Sequence, residues 1–248
     1  MDKWIDKIIC GDCLKIMAEI PYQSVDLIIT DLPYGTTACE WDEVINLTEM
    51  WFQFNRIKKP NAAIVLTASQ PFTTTLIHSN RAQFKYCWVW NKKKPGNIFL
   101  ADHQPLKVHE DVVVFGDNPV YYPIKTPRLV EKKTKNYGTG QAMGGDGQPE
   151  STTYTYTDKY PFSIIDISNA RQTGKQHPTQ KPVPLFEYLI KTYSRKGELI
   201  LDCCCGSGTS AVAAILTDRR YTCIDISPQY CDIAEERVKK TYYNEELF

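Results

Sequence analysis

The sequence predicts an α/β protein with a doubly wound, mostly parallel sheet, and three observations predict it. Seven short apolar runs lack polar alternation, the pattern of strands buried on both faces. Stretches with helical spacing separate most of them, as crossovers between parallel strands require. Hydrophobic residues make up 42% of 248, enough for one large core with or without an insertion.

In chain order, strands are read at Lys7–Cys10, Asp26–Thr30, Ala62–Thr67, Tyr86–Trp90, Asp111–Phe115, Leu199–Cys203 and Tyr221–Ile224. Helices are read at Leu47–Lys59, Val183–Tyr193, Thr209–Leu216 and Pro228–Val238. Ser227 is placed to cap the last of these, with Pro228 at its first position. From Gly116 to Gln176 no period is sustained, and NYGTGQAMGGDGQPESTTYTYT is rich in glycine, threonine and tyrosine. This stretch is read as a loop-rich insertion, with 137–151 burying too little to offset its ordering entropy. The expected organisation is therefore 1–115 and 177–248 as two parts of one domain, with 116–176 inserted between them.

No run approaches the roughly 20 apolar residues of a bilayer span, and the start MDKWIDKIICGD is charged rather than signal-like. A soluble, cytoplasmic protein without membrane contact is expected. Its nine cysteines have no framework spacing, so reduced thiols are the default. Cys10 and Cys13 form a C-x-x-C without a second pair at zinc-ribbon distance, and Cys203, Cys204 and Cys205 on a strand would point to alternate faces. Small packing residues, and no metal, are the reading.

The formal net charge is zero, but the charges are unevenly distributed. Residues 85–110 carry five lysines against two acids, and 125–135 carry five basic residues against one acid. Acids gather near the C-terminus instead, from Asp225 to Glu246. A face for nucleic acid and an ordinary solvated surface both fit that split.

Two motifs carry chemistry. The stretch TDLPYGTTACEWD, Thr30–Asp42, leaves an apolar strand through a carboxylate and presents an aromatic ring on a proline-stiffened turn. LILDCCCGSGTSAVAA, from Leu199, has the layout of a strand, a tight turn and a helix opening. Gly206, Gly208 and Ala211 match G-x-G-x-x-A, which lets a ligand lie against backbone and a helix pack close to a strand. Asp225 ends the next apolar strand 23 residues after Asp202, where an acid accepts hydrogen bonds from a ribose. A nucleoside-containing cofactor follows.

Taken together, these motifs resemble the beta group of amino-group DNA methyltransferases, of bacterial and phage type. Asp31, Leu32, Pro33 and Tyr34 are similar to the D-P-P-Y signature, and Asp202 to Thr209 to the D-P-F-x-G-S-G-T loop for S-adenosylmethionine. HPTQKP, His177 to Pro182, resembles the segment preceding that loop, and IICGDCLKIM resembles the group's opening strand. The resemblance implies a Rossmann-like class I methyltransferase sheet with an antiparallel edge hairpin and a circularly permuted motif order. It also implies cofactor contacts from Asp12, Cys13, Lys181, Asp202, Gly206, Gly208, Thr209 and Asp225, with Asp12 at the adenine and Lys181 near the cofactor's carboxylate.

Two departures stand out. Leu32 replaces a proline, but leucine supplies the same main-chain carbonyl. Cys203 and Cys204 replace proline and phenylalanine, and losing the phenylalanine removes a contact near the methionine part of the cofactor.

The reaction implied is methyl transfer to the N6 amine of adenine in double-stranded DNA. That amine is a poor nucleophile because its lone pair is delocalised into the ring. Hydrogen bonds from it to the Asp31 carboxylate and the Leu32 carbonyl localise the pair and aim it at the sulfonium methyl. The base must first be swung out of the duplex, and Tyr34, held by Pro33, stacks on it to return roughly 1 to 3 kcal/mol. Trp41 and Phe72 are weighed as flanking aromatics and read as packing. Lys92, Lys93, Lys94 and Lys107, with Trp88 and Trp90 alternating nearby, are candidates for phosphate contact. His109 and Glu110 are assigned no chemistry.

The alternatives are cytosine N4 methylation, disfavoured by aspartate where that branch carries serine, and a catalytically silent DNA-binding subunit. The sequence does not choose between a lone enzyme, a homodimer and a partner of a restriction endonuclease, and the recognition sequence is not legible in 116–176.

Overall fold

A computed structural model of the chain describes residues 3–35, 44–137, 151–169 and 180–245, the side chains of 136, 137, 151, 152, 244 and 245 excepted. Trp41, the first residues of the HPTQKP segment and the stretch 138–150 lie outside these residues.

Two compact units result, Met1–Tyr122 with Ser163–Phe248, and Pro123–Phe162. The larger unit holds eight strands: β1 (Lys7–Cys10), β2 (Val25–Asp31), β3 (Lys58–Ala68), β4 (Phe84–Asn91), β5 (His109–Phe115), β8 (Ile164–Asp166), β9 (Leu199–Asp202) and β10 (Arg220–Asp225). The order across the sheet is β1-β10-β9-β2-β3-β5-β4-β8. Only β5 runs against its neighbours. The expected antiparallel hairpin is β4–β5, with the three-residue β8 added outside it.

All seven strands read from the sequence are present. The reading also missed elements, for physical reasons. Helix α1 (Cys13–Glu19) and helix α3 (Phe72–Ser79) span only about two turns, and neither follows a two-glycine bend such as the one that marks the equally short helix at Thr209–Ile215. Helix α1 is fixed by its cap instead, because the Asp12 carboxylate accepts from the Leu14 and Lys15 amides at 2.9 and 3.3 Å. The remaining helices are α2 (Leu47–Ile57), α4 (Val183–Tyr193), α5 (Thr209–Ile215) and α6 (Pro228–Glu245). At the start of α6 the Ser227 hydroxyl accepts from the Tyr230 amide at 3.4 Å, as a cap does.

Alternation along the central strands splits the core in two. Leu27, Ile29, Ala63 and Val65 pack with α4 and α5, while Ile28, Ile64, Leu66 and Val113 pack with α1, α2 and α3. Both faces are thus apolar, which is why these strands show no polar period. Trp88 and Trp90 are buried in the α4 side of this core, where Trp88 Nε1 donates to the Tyr193 hydroxyl at 2.6 Å and Trp90 Nε1 to the Ile167 carbonyl at 2.8 Å. Both are core residues, as the buried strand Tyr86–Trp90 implies.

The smaller unit is an antiparallel pair, β6 (Thr126–Tyr137) with β7 (Ser151–Lys159). The sequence reading had this stretch as loop-rich; the threonine and tyrosine alternation of β7 is its overlooked strand signal. Within it Lys125 Nζ lies 4.6 Å from the centre of the Tyr160 ring.

Candidate active site

Parallel strands deliver their C-terminal ends to one rim, and β1, β10, β9 and β2 end there in Cys10, Asp225, Asp202 and Asp31. β2 pairs directly with β9, Ile28 beside Leu201, so the two motifs distant in sequence lie side by side. A cavity of about 800 Å³ opens at this rim, lined by Asp12, Cys13, Asp31, Leu32, Pro33, Tyr34, Lys181, Asp202, Gly206, Thr209 and Asp225 among others. Its size and mixed lining suit a small-molecule site.

The Asp31 end is a charge network. Oδ1 of Asp31 accepts from the Tyr34 hydroxyl at 2.8 Å and from the Thr67 hydroxyl, and Oδ2 accepts from Lys181 Nζ at 2.6 Å. A carboxylate offers about four lone-pair sites, so among the described residues one on Oδ2 is left to accept a further hydrogen. Lys181 also lies 3.4 Å from Glu110 Oε2, and Lys92 donates to Glu110 Oε1 at 2.8 Å. Glu110 Oε2 is buried and has no aligned donor among the described residues, so its compensation is ionic. Burial alone would lower the Lys181 pKa, but Asp31 and Glu110 outweigh it and raise the value. Burial likewise would raise Glu110, and Lys181 and Lys92 hold it below the usual carboxylate range instead. Tyr34 is raised by burial first and then by Asp31 and Glu110, so it stays a neutral phenol that donates.

The Tyr34 ring stacks on Phe72, with centroids 5.3 Å apart and planes at 24°, and Lys181 Nζ lies 5.6 Å from its centre. Phe72 is buried beneath it as packing. Lys181 therefore belongs to the Asp31 network, and it lines the same cavity as the glycine bend.

The glycine end is built from backbone. Gly208 takes the left-handed φ of 76° at the start of α5, and a Cβ there would sit 2.7 Å from the Ala234 Cβ of α6. Gly206 donates its amide to Asp225 Oδ2 at 2.7 Å, and Ser227 N reaches Oδ1 at 2.9 Å. Each oxygen keeps a lone pair for a ligand hydroxyl. Both cap bonds of Asp12 go to Oδ1, leaving Oδ2. Asp202 is buried beneath the bend, and burial pushes its pKa up to about 6 despite bonds from Ser210 and Thr30. Ser207 donates to Gln180 Oε1 at 3.1 Å and Thr209 to the Lys181 carbonyl at 3.4 Å, which fastens the lysine's segment onto the bend. Arg237 supports it from α6, 2.5 Å from the Ser207 carbonyl.

The thiols regroup. β9 ends at Asp202, so Cys203 and Cys204 follow a bend and do not alternate as strand residues. Their sulfurs meet that of Cys13, all three atoms lying within 4.8 Å of one another. Cys13 is lowered by hydrogen bonds from Cys203 and Cys204. Cys10, the other cysteine of the C-x-x-C, neighbours Cys231.

Two of the lysines read as phosphate contacts have side-chain or backbone partners within the chain. Lys92 is held by Glu110, and Lys107 by the Ser69 hydroxyl and the Gln70 carbonyl at 3.4 Å. Lys93 and Lys94 are exposed. Glu110 is the site residue that sequence reasoning missed. As β5 runs antiparallel, its beginning, not its end, reaches the rim.

Comparison with known proteins agrees with this geometry. A family model described as DNA methylase, of the N6/N4 methyltransferase type, matches residues 25–236. The chain is 25% identical to the type II methyltransferase M.HpaI of Haemophilus parainfluenzae, over 95% of this chain and 75% of that one. It is 28% identical to the DNA adenine methyltransferase YhdJ of Escherichia coli K12, over 97% and 85%. The fold is shared with a complex of M1.HpyAVI with SAM (TM-score 0.62, 20% identity, 94% and 98% covered). It is shared too with the cytosine-N4-specific PvuII DNA methyltransferase (TM-score 0.66, 16% identity, 96% and 91% covered). With a family match that takes in the Asp31 corner, Lys181 and the glycine bend alike, this chain belongs to the N6/N4 DNA methylase family.

Proposed function

We propose that this chain transfers the methyl group of S-adenosylmethionine to N6 of an adenine swung out of double-stranded DNA. The observation that carries the reading is the shared cavity. Asp31, with one acceptor site left on Oδ2, lines the same cavity as the glycine bend and Asp225. Bound S-adenosylmethionine supplies an electrophilic sulfonium methyl.

The chain's residues do the rest. Asp225 and Asp12 have the spare oxygen lone pairs to accept from an adenosyl group's hydroxyls and amine. Gly206 and Thr209 bring backbone close to the ligand, while Gly208, expected beside them, is outside the cavity lining and instead lets α5 pack against Ala234 of α6, with Asp202 holding the bend from below. Asp31 and the Leu32 carbonyl accept the two amino hydrogens and so direct the nitrogen lone pair. Tyr34, its hydroxyl anchored on Asp31, offers its ring to the base. After transfer the cationic product loses its proton to Asp31 or to water. Lys181 balances the Asp31 charge while the carboxylate is ionised. The 116–176 stretch, Lys93 and Lys94 are the proposed DNA-facing elements.

Adenine is favoured over cytosine because position 31 is aspartate, and the family also includes N4 enzymes. The test is incubation with labelled S-adenosylmethionine and genomic DNA from an unmethylated host, followed by nucleoside analysis. N6-methyladenine is expected; N4-methylcytosine would replace the base assignment, and no transfer would overturn the activity. Asp31→Ala should cut turnover at least about a thousandfold while leaving cofactor affinity within about threefold. The type II names of relatives point further, to modification in the cytoplasm beside a restriction endonuclease. Protection of the methylated DNA from one restriction enzyme would bear that out.

A further inference from the structure

We propose that Cys13, Cys203 and Cys204 form a three-thiolate site for a thiophilic d10 cation of the Zn2+ type inside the cavity, and that its occupancy excludes the methyl donor. The second clause rests on the proposed cofactor site; the first stands on geometry alone. The three sulfurs lie within 4.8 Å of one another, and those of Cys203 and Cys204 are 4.0 Å apart. A tetrahedral ion about 2.3 Å from each thiolate spaces its sulfurs about 3.8 Å apart, so small side-chain rotations complete the site.

The ligands are held by different elements. Cys13 is the first residue of α1, fixed by the Asp12 cap, and Cys203 and Cys204 follow β9, with the Cys204 amide tied to Asp202 Oδ1 at 3.1 Å. All three residues line the cavity, which leaves the fourth coordination position to a solute or water. Among the described residues the other neighbouring thiols come only in pairs, Cys10 with Cys231 and Cys205 with Cys223, too few for such a site. Soft sulfur donors select this class of ion over Mg2+ or Ca2+. An ion here would share the cavity with Asp12 and Asp225, and so take up space the adenosyl and methionine parts are proposed to fill.

The first experiment titrates the reduced full-length chain with Cd2+ and reads thiolate-to-metal charge-transfer absorbance. One equivalent should bind, and Cys13→Ser and Cys204→Ser should each weaken binding at least about a hundredfold, while Cys87→Ser leaves it unchanged. Absence of the band, or a band that survives Cys13→Ser and Cys204→Ser intact, overturns the site; unchanged thermal unfolding of the metal-free variants shows they are folded. The second experiment measures S-adenosylmethionine binding by equilibrium dialysis, with and without saturating Zn2+. Loss of at least about tenfold in affinity is expected, and unchanged affinity with Zn2+ bound overturns the exclusion. Failure of the metal-free chain to bind S-adenosylmethionine would overturn the cofactor site instead, and the exclusion with it, leaving the metal site to the Cd2+ result.

Discussion

The two sides of the cavity are built on different principles. Around Asp31, side chains from β2 and the turn after it, β3, β5, the residue following β4 and the segment before α4 converge into a network of two carboxylates, two ammoniums and two hydroxyls. Around Gly206 the contacts are backbone amides on fixed carboxylates and a steric fit, with Gly206 on Asp225, Cys204 on Asp202 and Gly208 against Ala234. The difference teaches that a charge network is sensitive to the loss of any one member, because each buried charge is compensated by the others. A glycine bend is sensitive to volume.

The largest expected effect tests the charged side. Lys181→Met leaves Asp31 and Glu110 without their shared cation, and breaking such a buried pair costs about 3 to 5 kcal/mol. Chemical denaturation should read that loss, turnover should fall about a hundredfold, and Glu110→Gln in the same chain should recover part of the stability. A smaller loss than for Lys93→Met would sink the network.

On the glycine side, Gly208→Ala combines a left-handed residue with a 2.7 Å approach to Ala234, and about 3 kcal/mol should be lost whatever the charge state. A neutral result would mean α5 and α6 separate easily.

Asp202→Asn examines the one titrating group beneath that bend. The native pKa of about 6 lies above the unfolded value, so the native state holds the extra proton, and stability falls as pH rises from about 4 to about 6. The substitution should therefore stabilise the cofactor-free protein by up to about 3 kcal/mol at pH 7.5 and by almost nothing at pH 4, read in urea titrations. Equal stability at both values would place the Asp202 charge outside the balance.

The smallest effect is expected from Tyr34→Phe, which removes one hydroxyl from Asp31 and keeps the ring. Turnover should drop about three- to tenfold, and Tyr34→Ala should cost clearly more. Equal losses would mean the hydroxyl, not the stacking face, is what matters.

Much of this was legible before the structure. The seven strands announced themselves because burial on both faces erases polar alternation, and D-L-P-Y and G-S-G-T each lie within one strand-to-turn corner. The Thr126–Tyr137 and Ser151–Lys159 hairpin was hidden by the glycine-rich stretch between its strands. Glu110 was hidden by strand direction, since an acid at the start of a strand is at the rim only if that strand runs backwards.

By itself the sequence determined the sheet, the two motif corners and the polar ends of the strands, because short-range patterning and turn chemistry act within a few residues. Only the tertiary structure decided that Lys181 answers Asp31 across 150 positions, and that Cys13 meets Cys203 and Cys204 rather than Cys10. Those pairings depend on strand order, and strand order is settled by the packing of the whole core.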